Sequence, residues 1–224
     1  MTKELINVLI LSASFLALFS VAELLYHFLK VKAEFTRKLV HFGTGVLTLL
    51  FPIMLGNQWW VLFLCSSFAV LLLLSIKFNF LKSINAIDRK SVGSIAYPVA
   101  VYLCYLAFDY FNKQYIYFYA PILTLAICDP LAALFGKKWP LGKYKSGSDY
   151  KTLMGSTAFF ISAFILNSLL LMNILEQHLF SSLLLASLIA LASTITEAFS
   201  KRGIDNITIP ASVLIMLILL IDFI

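Results

Sequence analysis

Three carboxylates and a set of cations stand where apolar runs meet polar segments, and their types suit phosphate chemistry. Asp129 closes an apolar run, followed by Ala132, Ala133 and Gly136, then by Lys137, Lys138, Lys143, Lys145, Lys151 and the pair Gly155-Ser156. An acid at membrane depth is costly, which makes Asp129 a functional-site residue by default. Asp129, Ala133 and Gly136 fall at i, i+4 and i+7 and share one helix face, where two small residues let a ligand or a second helix near the backbone. Glu197, between Ser193 and Ser200, and Asp205, followed by Asn206, add two more carboxylates. Magnesium draws its oxygen ligands from a few carboxylates plus phosphates, so acids like these beside lysines fit a Mg²⁺-bridged nucleotide. Each also has a plain reading: Glu197 paired with Lys201 one turn on, Asp205 capping the next helix.

Two basic clusters extend the pattern. Arg37 and His41 lie four apart and share a face with Lys38 between them, and a guanidinium there grips a phosphate with two hydrogen bonds. Arg89-Lys90-Ser91-Val92-Gly93, after Asp88, precedes another apolar run. It reads as an anion cradle at a helix N-terminus or, equally, as a solvated basic segment. Gly136 to Lys143 is not a P-loop, because its glycines are one residue too far apart and Tyr144 follows the lysine. Glu23 either lines the same site or reaches out to the interface.

The elements that must position these groups are membrane helices. The 224-residue chain is 61% hydrophobic and 12% charged, which excludes a soluble or fibrous protein. Apolar runs of spanning length fall at 5–29, 39–55, 58–76, 95–111, 115–135, 155–174, 179–199 and 207–224. The first run lacks a basic flank and a cleavage site before Glu23, so it reads as a transmembrane helix and not a leader. The expected fold is all-α: one polytopic domain over residues 1–224 with about eight transmembrane helices. Cys65, Cys104 and Cys128 have no ligand spacing and read as core. Of the seventeen basic residues, all but Lys3 and Lys113 fall in alternate connections. The positive-inside rule puts those connections in the cytoplasm and both termini on the non-cytoplasmic side.

Taken together, the motifs resemble a known family. Arg37-Lys38-x-x-His41, Arg89-Lys90-Ser91-x-Gly93 with Tyr97-Pro98, Asp129-Pro130-x-Ala132-Ala133-x-x-Gly136-Lys137, Lys151-Thr152-x-x-Gly155-Ser156 and Glu197-x-x-Ser200-x-x-Gly203-x-Asp205-Asn206 with Pro210 occur in the order of the CTP-dependent lipid kinases. That family includes dolichol and polyprenol kinases, phytol kinase and the CTP-using diacylglycerol kinase. The likeness covers residues 37–210. Met154 departs from the family's glutamate, and Trp139-Pro140 replaces its glycine, with Gly142 displaced.

The resemblance implies transfer of the CTP γ-phosphoryl group to a membrane lipid alcohol at the cytoplasmic face, with Mg²⁺ as cofactor. It implies Asp129 and Asp205 as metal ligands and Glu197 as a further ligand or the base. Arg37, Lys38, His41, Arg89, Lys90, Ser91, Gly93, Lys137 and Lys151 would hold the nucleotide phosphates. Gly136, Gly155 and Ser156 would offer backbone approach and N–H donors, and Asn206 would touch ribose or base. CTP, the lipid alcohol and the bilayer are the expected partners; nucleic acid is not, and self-association stays open. Two other readings stand beside it: a phosphatidate cytidylyltransferase, and a transporter of an anionic solute with the acids as a proton relay.

Overall fold

The computed structural model describes residues 2–86, 92–147, 149–175 and 178–221. Helices α1 (Lys3–His27), α2 (Ala33–Thr48), α3 (Phe51–Met54) and α4 (Gln58–Lys77) come first, followed by the short α5 (Lys82–Asn85) and α6 (Gly93–Tyr110). Next come α7 (Ile116–Leu123), a π-helical turn (Thr124–Cys128) and α8 (Asp129–Lys138). Strands β1 (Lys143–Ser146) and β2 (Asp149–Thr152) precede α9 (Leu153–Ile174), α10 (Leu179–Phe199) and α11 (Asp205–Leu220). Each of the eight predicted apolar runs is mostly helical within the described residues. Five continuous helices are long and apolar enough to cross a membrane: 3–27, 58–77, 116–138, 153–174 and 179–199. Their outer faces carry exposed Ile10, Leu73, Ile161 and Leu191, as helices facing lipid do.

Of the other three runs, α6 and α11 continue through Pro98 and Pro210, and only the 39–55 run is broken. Pro52 has no N–H and its ring collides with the carbonyl one turn earlier, so the 39–55 run stops at Thr48 and resumes as α3. The hydroxyl of Tyr105 on α6 donates to the carbonyl of Leu55 at 2.8 Å, which holds that break against the bundle. A second core cluster joins α7, α9, α10 and α11 through Ile116, Leu171, Leu185, Ile189, Val213 and Leu217.

The fold is nearly all-α, and the departure is at the site. Residues 143–152, expected to be a lysine-rich loop, form an antiparallel hairpin with Lys143 opposite Thr152 and Tyr144 opposite Lys151. Gly147, directly after β1, takes a positive φ of +63°, a conformation open to glycine. An isolated two-stranded ribbon is marginal, and this one is pinned by the Tyr144 hydroxyl, 2.7 Å from Ser156 Oγ on α9.

Candidate functional site

Helix α8 reaches the site through a change of helical register. In the π turn the N–H of one residue bonds the carbonyl five back, and the next carbonyl in that register, Leu125 O, meets residue 130, a proline with no N–H to give. His41 on α2 supplies the missing donor: its Nε2 lies 3.2 Å from Leu125 O. Because a carbonyl only accepts, the proton sits on Nε2, and Nδ1 is left as an acceptor. The Tyr97 ring packs edge-on to His41 with centroids 4.9 Å apart. A side chain at Gly45 would strike both Ala126 and the Tyr97 hydroxyl, so α2 lies directly on the π turn.

Helices α8 and α9 cross at Gly136 and Gly155. A Cβ on Gly155 would lie 2.9 Å from the Ala132 carbonyl oxygen, and one on Gly136 3.4 Å from the Gly155 Cα. The small stripe of α8 is therefore used for helix contact. Gly155 does not offer its N–H to a ligand, contrary to expectation: Thr152 Oγ1 caps α9 by accepting that N–H at 3.0 Å. Ser156 is engaged through its hydroxyl by Tyr144.

These contacts enclose a cavity of about 700 Å³. Its polar end is lined by Arg37, Lys38 and His41 from α2, Gly93 from α6 and Asp129, Gly136 and Lys137 from α8. Lys151 comes from β2, Gly155 and Ser156 from α9, Glu197 from α10 and Asp205 and Asn206 from α11. Every sequence-selected site residue that lies among the described residues lines it; Arg89, Lys90 and Ser91 lie outside the described residues.

Within the cavity the charges have distinct partners. Lys151 Nζ lies 2.6 Å from Glu197 Oε1 and also donates to the Glu197 carbonyl, so Glu197 pairs across to the hairpin and not with Lys201. Both are largely buried, and Glu197 Oε2 has no hydrogen-bond partner among the described residues. The Asp129 carboxylate has no hydrogen bond or ion pair among the described residues, though its charge acts on Lys38 and His41. Asp205, the first residue of α11, accepts the N–H of its neighbour Asn206 at 3.1 Å; Ile204 holds the N-cap position and no side chain caps the helix, so the plain reading of Asp205 as a capping acid is not what the structure has. Asn206 Nδ2 donates to the Gly93 carbonyl at 3.1 Å, tying α11 to α6. At the rim Lys137 pairs with Glu34, whose carboxyl that bond holds below its ordinary pKa.

The sequence reading did not name Glu34, and it named Tyr97, Tyr144 and Thr152 without giving them a role in the site. Glu23 does not line the cavity. It accepts the Ser83 N–H at 2.9 Å and sits 3.0 Å from His27 Nε2, while Thr36 Oγ1 donates to the Ser83 carbonyl at 2.6 Å. These bonds hold α5 so that Ile84 and Asn85 close one side of the cavity.

Among the described residues, no three His, Cys, Asp or Glu side chains form a ready-made metal cage. Magnesium does not need one, since one or two carboxylates and substrate phosphates complete its oxygen shell. The unpaired Asp129 carboxylate, with Asp205 in the same cavity, fits that donor set.

The chain is 32% identical over 203 residues to the phytol kinase of Synechocystis sp., an alignment covering 89% of this chain and 85% of that protein. No protein-family model matches the chain. No solved structure matches it.

Proposed function

This chain belongs to the family of phytol kinase and related lipid kinases, and we propose that it transfers the γ-phosphoryl group of CTP to the hydroxyl of an isoprenoid-type membrane alcohol. The observation that carries this reading is the shared cavity: carboxylates and cations gather at one end, and the other end is a hydrocarbon-lined arm. A phosphoryl donor and a lipid acceptor can meet there.

Phosphoryl transfer asks the protein mainly to position the reactants and neutralise charge. Arg37, Lys38, Lys137 and Lys151 take the phosphate oxygens, with Lys151 held in place by Glu197. Asp129 and Asp205 would hold Mg²⁺, which would neutralise charge on the phosphates. The alcohol oxygen bonds to the γ-phosphorus as the bond to CDP breaks, CDP leaves with the electron pair, and the hydroxyl proton passes to Glu197 Oε2. His41, fixed on Leu125, stands at the polar end between the phosphates and the arm. In the membrane we place the basic connections in the cytoplasm, both termini opposite, and eight helical passes, three of them built from proline-broken or shorter helices.

Purified protein in liposomes, given phytol and CTP labelled at either the γ- or the α-phosphorus, tests the reading. Label from the γ position alone in the lipid product supports it. With phosphatidate supplied in a parallel reaction, label from the α position in the lipid indicates cytidylyl transfer, and no labelled lipid from either donor with either acceptor rejects both.

A further inference from the structure

Nothing in the phosphate chemistry uses the apolar arm. The α2 stripe that begins at Arg37 and His41 continues through Thr44 to Thr48, and Phe51 of α3 follows it past the break, so the lining grades from cations to hydrocarbon. Opposite it, Leu64, Cys65, Phe68, Leu72 and Ile76 of α4 recur at helical spacing and line the same space. Phe19, Phe68, Phe15 and Phe51 form a continuous aromatic wall, with successive ring centroids 5.9, 4.9 and 6.0 Å apart. Close-packed interiors hold few voids larger than a water molecule, and an apolar-lined void this size beside a polar site is a place for a ligand.

We infer that this arm is the seat of the alcohol's hydrocarbon chain and that it takes one chain, about as long as one leaflet is deep. This rests on the lipid-kinase reading above. The lining from Leu64 to Ile76 spans about 18 Å of helix rise, against roughly 15 Å for half of a bilayer's hydrocarbon core. Head and arm together occupy about 700 Å³. That lies in the range of about 300–1,000 Å³ that holds a single small ligand, so it leaves no space for two long chains beside the phosphates. A diacylglycerol has two tails, and a long polyprenol has a tail several times deeper than the arm. Cys65 is buried, small and at the deep end, so it sets the limit on chain length.

The test compares farnesol, phytol, a long polyprenol and diacylglycerol as acceptors for wild type, Cys65→Trp and Val101→Phe, which narrows the arm from α6. Thermal unfolding of each protein with and without phytol, in detergent and without CTP, is read alongside. The wild type is expected to prefer phytol over the polyprenol and diacylglycerol and to be stabilised by phytol alone. Each variant is expected to lower kcat/KM for phytol relative to farnesol by roughly tenfold and to lose the phytol-induced Tm shift. Unchanged phytol-to-farnesol ratios in a folded variant overturn the inference while the kinase reading stands; wild-type preference for diacylglycerol overturns the inference and the isoprenoid part of that reading, leaving lipid phosphorylation. Absence of transfer to every alcohol overturns that reading, and the inference with it.

Discussion

Lys151 and Glu197, 46 residues apart in sequence, meet with Nζ 2.6 Å from Oε1, joining the hairpin strand β2 to the end of α10 inside the cavity. An ion pair removed from water is costly to break from one side, because the survivor is left charged and unpaired. Replacing Lys151 by Met alone should destabilise the protein by about 3 kcal/mol. Adding Glu197→Leu should restore most of that stability while transfer stays lost. Thermal unfolding of the two singles and the double, combined as a mutant cycle, checks it. Simple additivity would contradict the pairing.

The crossing of α8 and α9 makes a stability prediction. A methyl on Gly155 would press on the Ala132 carbonyl, which is backbone and has no rotamer to yield. Gly155→Ala should cost about 1–3 kcal/mol, read as a lowered Tm. A neutral substitution would show that the helices are not in contact there.

Much of this arrangement was legible in the sequence. The face of Asp129, Ala133 and Gly136 follows from helical spacing alone, and every described residue selected from the motifs lines one cavity. The reading failed where partners are distant or where an element breaks the helical period. Glu197 has Lys201 four residues on, the default local pair, but the side chain that reaches it comes from a strand far away in sequence. The hairpin does carry a signal: Lys-Tyr-Lys-Ser and Asp-Tyr-Lys-Thr flank the dipeptide Gly147-Ser148, with a glycine where a tight turn needs one. The π turn left no trace, since one extra residue in an apolar run changes no composition. Its only mark is Pro130, whose missing N–H becomes meaningful once His41 is seen against Leu125.

That contact yields a further test. A glutamine amide at position 41 can place an N–H near where Nε2 stands, and an alanine cannot. His41→Ala should lose about 1 kcal/mol of stability, and His41→Gln should regain most of it. Equal loss in both variants would contradict the hydrogen bond to Leu125.

The rim pair should behave differently from the buried one. Glu34 is half exposed, so Glu34→Gln should cost less than about 1 kcal/mol. Because Lys137 lowers the Glu34 pKa, the stabilisation is full above the ordinary glutamate value and is lost as pH falls through the lowered one. Unfolding curves of wild type and variant should therefore converge in acid. A difference that grows in acid would contradict this sign.

The most direct test is Asp129→Asn in the purified protein, assayed with CTP and phytol beside wild type. The substitution keeps size and polarity and removes only the charge, so Tm and helix content should be unchanged. Transfer should fall by on the order of a thousandfold. A folded Asp129→Asn variant that phosphorylates phytol at the wild-type rate would contradict the placement of the metal-bound phosphates at this carboxylate.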